Sequence, residues 1–394
     1  MSTAHALAAG QETTHAAHDP LAPVFAQYPL EVLRGEGVWL ISRDGRRVLD
    51  LYGGHAVASL GYGHPAWSKA IADQALNMNF QSNAVPMDVR LRAARKLIAF
   101  SKLPVKSVFF VNSGAEANEN ALKMAFTLTP GRTEVIALEQ SFHGRTAGAG
   151  ALTWGAAKKW YGFPRTPFDV KFIPRKEAAA LSQITEKTAA VVVEPIQGVG
   201  GAFDLGADYL KALRQRCDET GTVLIFDEVQ CGFGRCGQPF AANLYGVLPD
   251  MITTAKALGN GFPCSALLMM EKAANAVKMD ALGTTFGAGP MASAAIEATI
   301  DAIEFEDLLA NVRRVAAYIR KTCIVGPVTG HQGAGFLTGL ICKVPASQIQ
   351  KALLNEHNIL TGTSGDPNVL RLLPPFTLKE AEVDLLAAAL KKLG

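Results

Sequence analysis

Thr222–Gly237 reads TVLIFDEVQCGFGRCG. Four apolar residues, Val223-Leu224-Ile225-Phe226, have the pattern of a strand buried on both faces, as in a parallel sheet covered by helices. Asp227 and Glu228 end the run, and a glycine-rich turn follows. Successive side chains alternate across a strand, so these carboxylates point to opposite faces and are not a paired acid–base couple. Short apolar runs recur at Ser107–Val111, Glu134–Leu138, Ala189–Glu194 and Asp250–Thr254, with Ser265–Met270 as an added strand. Helical spacing over Glu116–Thr127 and Asp208–Thr220 lies between them. Strands alternating with helices predict right-handed crossovers and an α/β fold with a mainly parallel sheet.

With 394 residues, the chain has room for a large domain and a smaller one. Residues 1–24 read as a loose tail, and 25–60 as strand-like pieces (GVWLIS, RRVLDL) packing with the small domain. Residues 61–300 form the large domain, and 301–394 a small α+β domain. In the latter, strands are expected over Gly335–Val344 and Val369–Leu373, and helices over Ser347–Glu356 and Lys379–Leu393. From Ala292 to about Ile324 the spacing is continuously helical, predicting a long connector.

Composition narrows the function. Hydrophobic content of 49% and charged content of 19% are globular values, and a net charge of +3 favours neither nucleic acid nor a membrane surface. No apolar stretch has the length of a membrane span. Six cysteines form no C-x-x-C pair and no metal-ligand spacing, which suits reduced thiols. Residues 1–33 hold no Lys or Arg and no signal-like apolar run, so the expected location is the cytoplasm, with no metal.

In an open α/β sheet, ligands collect at the carboxyl ends of strands. Asn112-Ser113-Gly114, Phe142-His143-Gly144-Arg145, Glu194, Asp227 and Lys256 all fall at such ends. A lysine like Lys256 is more often a solvated charge, and Asp227 alone would pass for a turn residue. Together they fit a pyridoxal phosphate site, where the lysine holds the cofactor as a Schiff base and the aspartate keeps the pyridine nitrogen protonated. In VNSGAEANENALK a strand, a Ser-Gly turn and a helix start offer an anion site, with Gly114 allowing close approach. No Gly-Lys-Ser/Thr follows, which argues against a nucleotide loop.

YPLEVLRGEGVWL, LGYGHP, NSGAEANENALK, SFHGRT, VEPIQG, FDEVQCGFGR, TTAKALGNGFP, GTTFGAGP and VLRLLPPFTL follow one another in this order over nearly all the chain after residue 27. The set resembles the class III, ornithine-type aminotransferases among the fold-type I pyridoxal phosphate enzymes, in the acetylornithine or succinylornithine branch. The resemblance implies a large domain with a seven-stranded, mainly parallel sheet. It assigns Lys256 and Asp227 the roles above and makes Ser113, Gly114 and Ala115 the phosphate turn. Phe142 would stack on one cofactor face, Val229 would press on the other, and Gln230 would bond the ring oxygen. His143 would be a hydrogen-bonding loop residue of the same pocket, with Glu194 beside it. Thr284 and Thr285 complete the cofactor set, Thr285 reaching the phosphate held by the neighbouring subunit, which implies a homodimer. Arg145 and Arg371 match the family's carboxylate binders, and His55 falls at a substrate-facing position.

Two positions depart from the family. Val199 stands where most relatives carry a Glu that neutralises the arginine matching Arg371, and Gly289 replaces an Asn. An N-acyl group blocks the α-amine and makes that Glu gate less necessary. The expected reaction moves the terminal amino group of N-acetylornithine or N-succinylornithine to 2-oxoglutarate, within arginine biosynthesis. Alternatives are another ω-aminotransferase acting on a lysine derivative, 4-aminobutyrate or ornithine, an aminomutase, and a non-catalytic cofactor-binding protein.

Overall fold

The structure is a computed structural model and describes residues 21–394. The expected tail over 1–24 therefore lies mostly outside the described residues. Its last four residues, Leu21–Val24, are exposed and belong to no helix or strand.

Seven strands form the central sheet: β1 Ser107–Val111, β2 Glu134–Leu138, β3 Asp169–Ile173, β4 Thr188–Val193, β5 Val223–Asp227, β6 Met251–Thr254 and β7 Ser265–Met269. Their spatial order is β1-β7-β6-β5-β4-β2-β3. Every pairing from β6 to β3 is parallel, and β7 alone runs antiparallel to both of its neighbours. β5 sits at the centre with all five residues buried. Each such Val, Leu, Ile or Phe contributes about 1.5–3 kcal/mol by leaving water. Its flanking strands Thr188–Val193 and Met251–Thr254 are equally buried.

Helix α1, Gly114–Leu128, lies against this sheet through Ala117, Ala121 and Ala125. Alanines four residues apart share one face and let the helix approach closely. Helix α2, Ala207–Thr220, buries Leu210, Leu213 and Cys217 and ends at Gly221 in the left-handed region.

One expectation is corrected and two are added to. β3 carries no apolar run in the sequence and was not expected. It is an edge strand, paired only with β2 and half-exposed, so Asp169 and Lys171 are tolerated there. The long connector is two helices, α3 Pro290–Phe305 and α4 Leu308–Thr322. They part at Asp307, whose φ of 48° is left-handed, a conformation that Asp adopts more readily than most residues and that periodicity does not register. The strand expected over Gly335–Val344 is one arm of a hairpin, Val328–Ala334 with Leu337–Cys342, and Gly335 is its turn at φ 55°. The first arm, VTGHQGA, is too polar and glycine-rich to read as a strand alone.

A second sheet joins Val32–Glu36, Trp39–Ser42 and Arg47–Asp50 to Ile359–Leu360, which pairs parallel with Arg47–Asp50. The hairpin is extended by Val369–Leu372, the strand that carries Arg371. Helices Ala346–His357 and Glu380–Lys392 complete the C-terminal part.

Candidate active site

At the carboxyl ends of β1, β2, β4, β5 and β6 lies a cavity of about 340 Å³. Every cofactor-binding candidate named from the sequence lines it except Thr284 and Thr285.

Asp227 is buried at the end of β5. Its Oδ2 accepts from Asn118 Nδ2 and His143 Nδ1, each at 2.7 Å, and its Oδ1 accepts from Val229 N at 3.1 Å. Glu228 takes the opposite face, as alternation requires, and accepts the N–H groups of Ala241 and Ala242 at 2.5 and 2.9 Å. Burial pushes the Glu228 pKa up to about 8. Glu194 is buried beside the cavity and accepts Phe142 N at 2.9 Å and Gly198 N at 3.0 Å. Burial pushes its pKa up to about 6, against the opposing pull of His143.

Lys256 follows β6 after one residue, Ala255, and has φ 48°, a left-handed value that a lysine seldom adopts. Burial lowers its ammonium pKa from the ordinary lysine range, while Asp227 and Glu194 oppose the shift. An amine so placed is more readily uncharged and nucleophilic than a surface lysine.

The start of α1 supplies the opposite charge preference. Ser113 Oγ accepts Glu116 N at 3.2 Å and Glu116 Oε2 accepts Ser113 N at 2.7 Å, forming a capping box. Ala117 N is taken by Ser113 O. Of the four first-turn donors a helix cannot satisfy internally, this leaves Gly114 N and Ala115 N, and both residues line the cavity. A Cβ on Gly114 would lie 2.8 Å from Val229 Cγ2, so only glycine fits between the turn and that wall.

The residues fit a phosphorylated pyridine. There is a helix N-terminus for the phosphate. A carboxylate and an amine open into one cavity, and the buried His143 Nε2 has no partner of its own.

Arg371 and Arg145 stand outside the lining. Arg371 is buried; its Nε donates to Thr363 O at 2.7 Å, Nη1 to Gly198 O at 3.1 Å and Gln230 Oε1 at 3.5 Å, and Nη2 to Tyr52 Oη at 3.0 Å. All of these acceptors are neutral. Arg145 is exposed, 5.8 Å from the Phe142 ring and 5.5 Å from that of Trp160. Val199 lines the cavity. Thr284 Oγ1 accepts from Gly287 N at 3.1 Å, whereas Thr285 is exposed and borders no part of this cavity. His55 is also exposed, with Nδ1 2.9 Å from Tyr52 Oη.

Sequence reasoning missed Asn118 and Tyr52. Asn118 bridges Asp227 Oδ2, His143 O and Thr253 Oγ1, each at 2.7 Å. An asparagine sharing the alanine face of α1, one residue after Ala117, was the available signal. Tyr52 gave none, because its charged partner Arg371 lies 319 positions away.

The family model for Aminotransferase class-III matches residues 22–393. The chain is 39% identical to the acetylornithine aminotransferase of Mesorhizobium japonicum, over 91% of this chain and 92% of that one. It is 37% identical to the mitochondrial acetylornithine aminotransferase of Alnus glutinosa, over 96% and 87%. Among solved structures, the ornithine aminotransferase of Toxoplasma gondii superposes with a TM-score of 0.88 at 26% identity, covering 95% of this chain and 92% of that one. The N-acetylornithine aminotransferase of Stenotrophomonas maltophilia does so with a TM-score of 0.80 at 29%, covering 93% and 96%. With a family model matching nearly the whole chain and relatives of this similarity, the chain belongs to the class-III aminotransferases.

Proposed function

We propose that this enzyme transfers the terminal amino group of an N-acylated ornithine to 2-oxoglutarate, using pyridoxal phosphate, and that it serves arginine biosynthesis. The observation carrying this reading is the pair Lys256 and Asp227, an amine and a carboxylate from adjacent strands opening into one cavity beside a helix N-terminus. When bound, the cofactor supplies an electron sink for the carbon that gains or loses a proton. Asp227 would hold a proton at the ring nitrogen, itself oriented by Asn118 and His143. Gly114 and Ala115 N–H groups would bind the phosphate, with Phe142 and Val229 on either side of the ring. Lys256 would carry the cofactor at rest, then move the proton at the reacting carbon as base and acid. Arg371 would take a substrate carboxylate, and Arg145 a second one at the mouth.

The working unit proposed is a homodimer. Supporting it, Thr285 is exposed beside Phe286, whose ring meets that of Phe80 at 5.3 Å on an apolar surface. Among the described residues no helix is long and apolar enough to cross a membrane.

Initial rates of glutamate formation from 2-oxoglutarate should be compared for N-acetylornithine, N-succinylornithine, ornithine, 4-aminobutyrate and lysine. The reading expects the acylated donors to lead by kcat/KM. A lead by 4-aminobutyrate or lysine overturns it, as does turnover without a keto acid.

A further inference from the structure

The turn at the start of α1 is held from outside the helix as well as from within. Ser265 opens β7, the strand antiparallel to β1, and pairs in register with Val111, the last residue of β1. Two residues past that pairing the chain reaches Ser113, and Ser265 Oγ donates to Ser113 O at 2.7 Å. The same carbonyl accepts Ala117 N at 3.0 Å, the first bond of α1. A carbonyl oxygen has two lone pairs, and both are therefore in use. Ser265 is buried, so water does not compete for its hydroxyl.

Peptide planarity carries this hold to the other side of the bond. Ser113 O and Gly114 N belong to one peptide unit, whose C=O and N–H point in opposite directions within one plane when trans. Whatever fixes the carbonyl therefore fixes the direction of the Gly114 N–H, one of the two first-turn donors left without a partner. The peptide entering Ser113 is held separately. Glu116 Oε2 accepts Asn112 N at 2.9 Å and Ser113 N at 2.7 Å. Glu116 and Ala117 belong to α1 and move with it. Ser265 comes from 152 positions further on and ties the turn to the sheet. The turn cannot swing toward Val229 either, since a Gly114 Cβ would already lie 2.8 Å from its Cγ2.

Resting on the function proposed above, we infer that Ser265 is a positioning residue for the cofactor's phosphate: its hydroxyl locks the Ser113–Gly114 peptide to the sheet and so aims the Gly114 N–H at the anion. Ser265 does not line the cavity, whereas Ser113, Gly114 and Ala115 do, so it acts through the turn. A donor already aimed needs no reordering when the anion arrives.

The test compares wild-type and Ser265→Ala apoenzyme in their affinities for pyridoxal phosphate, for pyridoxal and for inorganic phosphate as a competitor. Ala117 N still satisfies Ser113 O in the variant, so no buried carbonyl is left bare and the fold should hold. Pyridoxal can reach Lys256 without using the phosphate turn, and its binding, read by absorbance, doubles as the control for folding. We expect the Kd of pyridoxal phosphate to rise about three- to tenfold in Ser265→Ala, the scale of one hydrogen bond, while that of pyridoxal stays unchanged. Inorganic phosphate should compete more weakly by a similar factor. Equal losses for pyridoxal phosphate and pyridoxal, or no loss for either, overturn the role given to Ser265 and leave the cofactor site standing. Wild-type enzyme that binds pyridoxal as tightly as its phosphate overturns the phosphate turn and the function resting on it.

Discussion

Lys256 gathers three conditions that base chemistry needs: burial that disfavours its charge, a backbone conformation seldom adopted by lysine, and a place beside Asp227 in one cavity. Replacing it with Ala should abolish turnover and the visible absorbance of the bound cofactor; a variant that keeps both would remove this lysine from the chemistry. Asp227→Asn keeps the shape but loses the charge that would hold a ring proton. We expect kcat to fall by more than about a hundredfold, the scale of losing one preorganised electrostatic partner. Cofactor should still bind, as read by fluorescence quenching, because Gly114 and Ala115 are untouched. Asn118 should report on the same carboxylate: Asn118→Ala frees two acceptors, Asp227 Oδ2 and His143 O, and should lower kcat with less effect than Asp227→Asn.

At the scale of elements, β5 and its turn link activity to stability through Glu228. The folded pKa of about 8 lies above the ordinary 4.5. Between these values the folded state holds a proton that the unfolded chain has released, so stability falls as pH rises through this window and levels off above it. Melting temperatures measured from pH 5 to 9 should therefore decline for the wild type and flatten for Glu228→Gln. An identical slope in both would show that another group is responsible. The capping box at α1 is a second element-level device. Ser113→Ala should destabilise by about 1 kcal/mol and also weaken phosphate binding, since the first turn frays where Gly114 and Ala115 must stay in register. Denaturant midpoints and cofactor titration separate the two effects.

At the scale of the whole molecule, Arg235 ties distant segments together. It is buried and lies 4.6 Å over the Phe376 ring. It donates to Pro374 O and Ala56 O, while its own carbonyl accepts Phe336 N at 2.8 Å. The turn after β5, the left-handed turn over Gly53–Ala56 and the C-terminal hairpin thus meet on one residue. Burial without a carboxylate partner pushes its pKa down to about 9. Arg235→Met leaves two buried carbonyls unpaired and should cost about 2–4 kcal/mol in chemical denaturation.

The sequence by itself determined the central sheet, because strands buried on both faces are continuous apolar runs and glycine-rich turns mark their ends. Val223–Asp227 and Ser107–Val111 were legible to the residue. It also marked the strand-end residues Ser113, Asp227 and Lys256, whose types and order carry the family's pattern. The edge strand Asp169–Ile173 and the break at Asp307 were not legible, since exposure removes periodicity and a left-handed Asp leaves no local trace. Only the tertiary structure decided that Asn118 faces Asp227 across 109 positions and that Tyr52 joins Arg371 across 319. Such bonds are selected by where strands end in space, and a polar side chain in a sequence does not carry the address of its partner.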